Sequence, residues 1–156
     1  MYLDYDSSID KGARERISTS YLSQKNIYMF PEILIEELFS ITKREKRVAL
    51  SLGVIFNCDG TVLSYEIVQS LINPNYQLSY EDADELIEYA PKLEEDLSII
   101  YNILYKRNCH RKKQGAKEIT EPHGNLKVIE GIPSIKVIYQ TISRQLVSEA
   151  MILYGD

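Results

Sequence analysis

Between residues 47 and 56 every second side chain is apolar (Val48, Leu50, Leu52, Val54 and Phe56), and nothing else in the chain constrains its fold so strongly. Side chains alternate across a strand, so this spacing gives one apolar face that belongs against a core. Asp59 and Gly60 follow, residue types that tolerate the positive backbone angles of a tight turn. The returning residues 61–72 place Leu63, Tyr65, Ile67 and Leu71 on one side. A β-hairpin over residues 47–72 is predicted.

The flanking segments read as helices and further strands. Ser7 and Ser8 can accept free amides of a following turn, which predicts a short helix over residues 9–16 with Asp10 near its positive end. Residues 18–24 are polar and unperiodic, as in an exposed loop carrying Tyr21. Residues 32–42 read as a short helix or irregular cover over the core. Ser79 and Asp82 have the form of a capping box opening a helix that runs to about Tyr89. After Pro91 a second helix, residues 92–113, carries Leu93, Leu97, Ile100 and Leu104 on one stripe. Residues 115–119 and 126–139 look like strands, the latter interrupted at Glu130 and Gly131. Ser143 is read as the cap of a last helix whose apolar face is Leu146, Val147, Ala150 and Leu153.

The chain has 156 residues, 44% of them hydrophobic and 26% charged, enough for one core. No run of 18 or more apolar residues occurs and the N-terminus lacks a secretory pattern, so no membrane association and a cytoplasmic location are expected. Cys58 and Cys109 read as two free thiols. His110 and His123 lack acids or cysteines at ligand spacing, and neither a Gly-rich phosphate loop nor a nucleophile elbow is present.

A net charge of -5 argues against a surface that coats nucleic acid generally, but the charge is segregated. Eight acidic residues lie between Glu81 and Asp96, and Lys106, Arg107, Arg111, Lys112 and Lys113 then follow within eight residues. That basic cluster either complements a helix C-terminus or binds phosphate. Tyr21 likewise has two readings, a ring packed on the core or an exposed stacking platform.

The stretch from Ser8 to Glu32 resembles the catalytic RNB domain of the ribonuclease II and ribonuclease R family. Its "SIDKGARER", "TSYLS" and "IYMFPEIL" follow, in order and spacing, that family's "GS-x-LD-x-x-A-x-x-R" helix, "TS-x-YLP" loop and "IPMLPEEL" segment. Asp6, Ser23 and Tyr28 stand where the family has Gly, Pro and Pro. "NYQLSYEDADELIE", "RNCHRKKQGAKEI" and "SRQLVSEAMILYGD" continue the resemblance across essentially the whole chain, with wording nearest the cyanobacterial and plastid branch.

This resemblance implies a mixed α+β fold of antiparallel strands with packed helices. It also implies 3'-to-5' hydrolysis of single-stranded RNA to nucleoside 5'-monophosphates, with magnesium held by a "D-x-x-x-x-x-D-x-DD" aspartate cluster. By register that cluster lies upstream of residue 1 and an arginine segment lies downstream of residue 156. Residues 1–156 are therefore expected to form a partial RNB domain with no catalytic or metal-binding residue of its own, inactive alone. Tyr21 matches the family's base-stacking tyrosine and Ile119 its second aromatic clamp; with Arg111, Lys112 and Lys113 they form the expected RNA-binding set. Weak single-stranded RNA binding is expected, together with self-association or pairing with complementary RNB fragments. The residues 47–56 strand and the Leu146, Ala150 and Leu153 face of the last helix are expected to be left exposed.

Overall fold

The computed structural model describes residues 3–92, 95–119, 121–129 and 132–156. Ser7 accepts the Asp10 amide at 3.3 Å and opens α1 (Ser8–Arg16), whose Ala13 is buried. The polar loop expected at residues 18–24 contains a minimal hairpin, β1 (Ser20–Tyr21) paired antiparallel with β2 (Asn26–Ile27). The Leu22 amide closes it on the Lys25 carbonyl at 3.1 Å. Next, α2 (Glu32–Leu34) passes into a π-helical turn, Ile35–Phe39, and Phe39 meets Phe30 edge to face with ring centres 5.2 Å apart.

The predicted long hairpin is present. β3 (Arg47–Phe56) pairs antiparallel with β4 (Val62–Ile72), and a bulge lies between Ile55 and Phe56. Opposite residues share a face, so Val48 with Leu71, Leu52 with Ile67 and Val54 with Tyr65 make one apolar surface. The turn is longer than a two-residue Asp-Gly link. Asn57 donates its amide to the Thr61 carbonyl at 2.8 Å, and Asp59 accepts the Thr61 amide at 3.0 Å. Gly60, at φ 89°, sits on the next-but-one helix, where an added Cβ would lie 2.5 Å from the Lys106 carbonyl carbon. Only glycine combines that backbone angle with that approach.

Three helices form the centre: α3 (Tyr80–Tyr89), α4 (Asp96–Lys113) and α5 (Ile142–Gly155) pack against one another around Ile87 and Leu104. The Ser79 and Asp82 capping box forms as read, with both reciprocal hydrogen bonds made. Helix α4 starts at Asp96 rather than residue 92, and Leu93 lies outside the described residues. Its inward stripe also differs from the expected one, because Ile100 is exposed while Asn108 and Arg107 are buried. Polar side chains occupy that stripe because a carboxylate of α5 faces them.

Ser143 does not cap α5; Thr141 stands at that position. Ser143 instead lies buried in the first turn, donating its amide to Asp84 at 2.7 Å and its hydroxyl to the Tyr80 carbonyl at 3.0 Å. The Arg144 guanidinium stacks 4.0 Å over the Tyr80 ring, completing the seam between α3 and α5. Burial alone would raise the Asp84 carboxyl, but the Ser143 and Thr141 hydrogen bonds and Arg144 outweigh it and hold the pKa below the ordinary value.

Residues 115–119 are not a strand. The Ala116 amide turns back to the Arg111 carbonyl at 3.0 Å and Gly115 takes φ 99°, so the segment wraps the end of α4. β5 (His123–Ile129) and β6 (Ile132–Ile138) form a third antiparallel ribbon, with Glu130 and Gly131 outside the described residues. Among the described residues the architecture is thus a mixed α+β fold, five α-helices, three of them forming the centre, with three two-stranded ribbons.

The expected exposure is met only in part. Val48 and Leu50 are exposed, whereas Leu52, Val54 and Phe56 are half-buried. Leu146, Ala150 and Leu153 are half-buried against the helical centre, and Val147, Met151 and Tyr154 face outward instead.

Glu149, only 2% exposed, holds the centre together by accepting from Arg107 at 2.7 Å, Arg111 at 2.8 Å and Asn108 at 3.2 Å. Glu149→Leu leaves the buried Arg107 without that partner, and the expected loss is about 3 to 5 kcal/mol of folding stability. Urea denaturation of the two proteins checks this; a loss below about 1 kcal/mol would equate the network with exposed surface pairs.

Candidate RNA interface

Tyr21 stands on the short β1–β2 hairpin, and three contacts, two at the hairpin's base and one at its turn, fix its place. Thr19 accepts the Met29 amide at 3.2 Å, Arg16 donates to the Met29 carbonyl at 3.1 Å, and the Val128 amide of β5 donates to the Ser23 carbonyl at 3.3 Å. The Tyr21 ring itself is 79% exposed, so it is not packed on a core. A flat, accessible ring on a two-stranded support has the form that base stacking requires.

The other predicted contacts gather at the C-terminal end of α4. Arg111, Lys112 and Ile119 line one cleft of about 270 Å³, together with Gln145, Ser148 and Glu149 of α5. Ile119 is 81% exposed at its rim, which suits an aliphatic cover over a base. Lys113 is exposed and carries no ion pair among the described residues.

The basic cluster is less available than its sequence suggests. Arg107 is buried between Glu149 and Asp156, and Arg111 spends one guanidinium nitrogen on Glu149. Lys112 pairs with Glu118, and the hydrogen bond it donates to that carboxylate raises the lysine's pKa. Arg107 is thus held by carboxylates of α5 and the C-terminal residue, a role that neither earlier reading gave it, while Lys113 and the outer edge of Arg111 face solvent.

Glu149 is the cleft-lining residue that sequence reading missed. It lies three residues after Leu146 and four before Leu153, so a carboxylate interrupts the buried stripe of α5. Arg107 and Arg111, four apart on α4, supply the matching pair of cations on one helix face. A charge inside an apolar stripe, matched by two cations at helical spacing elsewhere, was the available signal.

The acidic residues near the N-terminus do not fit a magnesium pair. Asp10 accepts the Asp6 amide at 2.8 Å and pairs with Arg14 at 2.8 Å, and those contacts hold its pKa below the ordinary value. Asp6 pairs with Lys11 at 3.4 Å. A hard divalent cation needs oxygens converging on one point, and these point at cations instead. Among the described residues no group of three or more His, Cys, Asp and Glu converges as metal ligands would, and no helix is long and apolar enough to cross a membrane.

Comparison with known proteins places this geometry. The family model described as RNB domain matches residues 1–155. An uncharacterized ribonuclease of Synechocystis, sll1290, is 35% identical over 99% of the chain and 23% of its own length. The chloroplastic and mitochondrial ribonuclease II of Arabidopsis thaliana is 32% identical over 99% of the chain and 20% of its own. The backbone is similar to that of Mycoplasma genitalium RNase R in complex with ribose-methylated single-stranded RNA, with TM-score 0.89 and 19% identity over 97% of this chain and 25% of that one. The chain spans about a fifth to a quarter of the length of these relatives. With the match running from the first residue to the last but one, the chain belongs to the RNB family, that of ribonuclease II and ribonuclease R.

Proposed function

We propose that these 156 residues form the RNA-cradling part of a 3'-to-5' exoribonuclease of RNB type and do not cleave RNA with carboxylates of their own. The observations that carry this reading are an exposed Tyr21 ring and a polar cleft lined by Arg111, Lys112 and Ile119. Single-stranded RNA offers unstacked bases to the one and phosphates and hydroxyls to the other. The family relationship supports the same ligand, since the relatives named above are ribonucleases. Net charge -5 keeps the affinity low, because Lys113 and the outer edge of Arg111 must supply most of the phosphate attraction.

The carboxylates that hold magnesium in the family have no counterpart here. The sequence contains no "D-x-x-x-x-x-D-x-DD" run, and Asp6 and Asp10 are engaged by Lys11 and Arg14. The chain alone is therefore expected to release no nucleoside monophosphate from single-stranded RNA with magnesium present. Processive release by pure protein, unchanged in Asp6→Asn and Asp10→Asn, would place an active site elsewhere in these residues.

Binding gives the second test, read by fluorescence anisotropy with a short labelled single-stranded RNA. Tyr21→Ala should weaken it by about 1 to 3 kcal/mol, the worth of one base stack. Lys113→Glu should weaken all sequences alike and flatten the salt dependence, as loss of a phosphate contact does. Equal affinity of wild type and Tyr21→Ala at low salt would remove the stacking role.

A further inference from the structure

One neutral atom of the Glu149 network has no partner. Asn108 is 8% exposed, and its amide nitrogen donates to Glu149 Oε2 at 3.2 Å, which fixes the orientation of the side-chain amide. Its carbonyl oxygen Oδ1 therefore points away from that carboxylate; it is sealed from solvent and has no hydrogen-bond partner among the described residues. Unmet buried acceptors are rare in folded proteins because each costs stability, and each calls for a reason.

Packing gives no reason for this one. Glu149 already receives Arg107 on Oε1 and Arg111 on Oε2, so its charge is met without Asn108. A leucine at that position, four residues after the buried Leu104, would continue the apolar side of α4 and leave no orphan. The surroundings of Asn108 supply the reason, since it lines the cleft that holds Arg111, Lys112 and Ile119. Asn108, Glu149 and Gln145 are shared between that cleft and a narrow gap behind it. The Gln145 side chain makes no hydrogen bond among the described residues, so it can swing aside while the other two stay bonded.

The chemistry of the cleft selects among the parts of a nucleotide. Phosphodiester oxygens accept hydrogen bonds and donate none, so they suit Arg111 and Lys112 and not a carbonyl. Ile119 and Ile152 give the cleft aliphatic surface for the faces of a flat ring, and at about 270 Å³ it has room for one base rather than a length of chain. We infer that the cleft takes a single RNA base edge-on to Asn108, whose Oδ1 accepts an N–H of the base's pairing edge, so that a base methylated at that nitrogen is rejected. The inference rests on the RNA reading proposed above and adds a specificity-determining residue to it.

The test reads fluorescence anisotropy of short labelled oligomers built from uridine, N3-methyluridine, 5-methyluridine or 2'-deoxyuridine, with the 156-residue chain and its Asn108→Leu variant. Methylation at N3 removes the donor, whereas methylation at C5 adds the same bulk and keeps it. Wild type should bind the N3-methyl oligomer at least about fivefold more weakly than the uridine one, as when a buried acceptor is left unmet, and the 5-methyl oligomer equally well. Asn108→Leu should bind the uridine and N3-methyl oligomers alike, and should unfold at no lower urea concentration than wild type. Equal wild-type affinity for uridine and N3-methyluridine would overturn the inference, since a water then serves the carbonyl. So would discrimination that persists in Asn108→Leu, or a variant that unfolds clearly earlier, which makes the amide a structural member of the network. A uridine against 2'-deoxyuridine contrast that Asn108→Leu abolishes would overturn the base assignment and name a sugar hydroxyl as the donor. Failure of wild type to bind unmodified oligouridylate removes the RNA reading and this inference with it, whereas binding without an N3 effect removes the inference alone.

Discussion

Everything around the cleft depends on one buried carboxylate. Glu149 reaches from α5 into the side of α4 and accepts hydrogen bonds from Arg107, Arg111 and Asn108. Two charges of opposite sign cannot be taken from water cheaply, so such a network persists only where each partner is satisfied. Here it fixes the angle of α4 to α5, and with it the positions of Arg111, Lys112 and the returning segment at Ile119. The Arg111 carbonyl accepts the Ala116 amide, so the helix that carries the cations also turns the chain back to the rim. The cleft is thus a by-product of how two helices share one acid.

That arrangement explains why a basic cluster can mislead. Five cations within eight residues look like a phosphate site, yet Arg107 is buried, Arg111 shares Glu149, and Lys112 is held by Glu118. An acidic chain can still present a locally positive rim, because pairing neutralises some members and leaves Lys113 out in water. Electrostatic attraction at such a rim is weak and strongly screened by salt. In the proposed RNA interface, contacts from Tyr21 and Ile119 would then outweigh charge.

Much of the fold was legible because it rests on local chemistry. The alternation from Val48 to Phe56 and the capping box at Ser79 each act within a few residues, and both appear where they were read. What escaped depends on partners distant in sequence. Ser143 has a capping residue's chemistry, but Asp84 and the Tyr80 carbonyl, about sixty residues away, claim its amide and hydroxyl. Residues 115–119 alternate weakly, but the end of α4 holds them, and among the described residues no strand pairs with them. Ile100 lost its place on the α4 stripe to polar residues because Glu149 faces that side. For the site, the motif positions of Tyr21 and Ile119 pointed to exposed residues, while the role of Glu149 became visible only when α4 and α5 were placed together.

The helical centre is closed by its own polar network, while the ribbons present apolar faces outward. The proposed RNA contacts lie on the helical side and on the β1–β2 hairpin. The most direct measurement of that account is a solution footprint, hydrogen exchange of the chain with and without a saturating short oligouridylate. Added protection should fall on Tyr21 and Leu22, on residues 111–119, and on the α5 turn holding Ser148. Protection confined to the β3–β4 ribbon, or none at saturation, would contradict the placement of RNA along the Tyr21 platform and the Glu149 cleft.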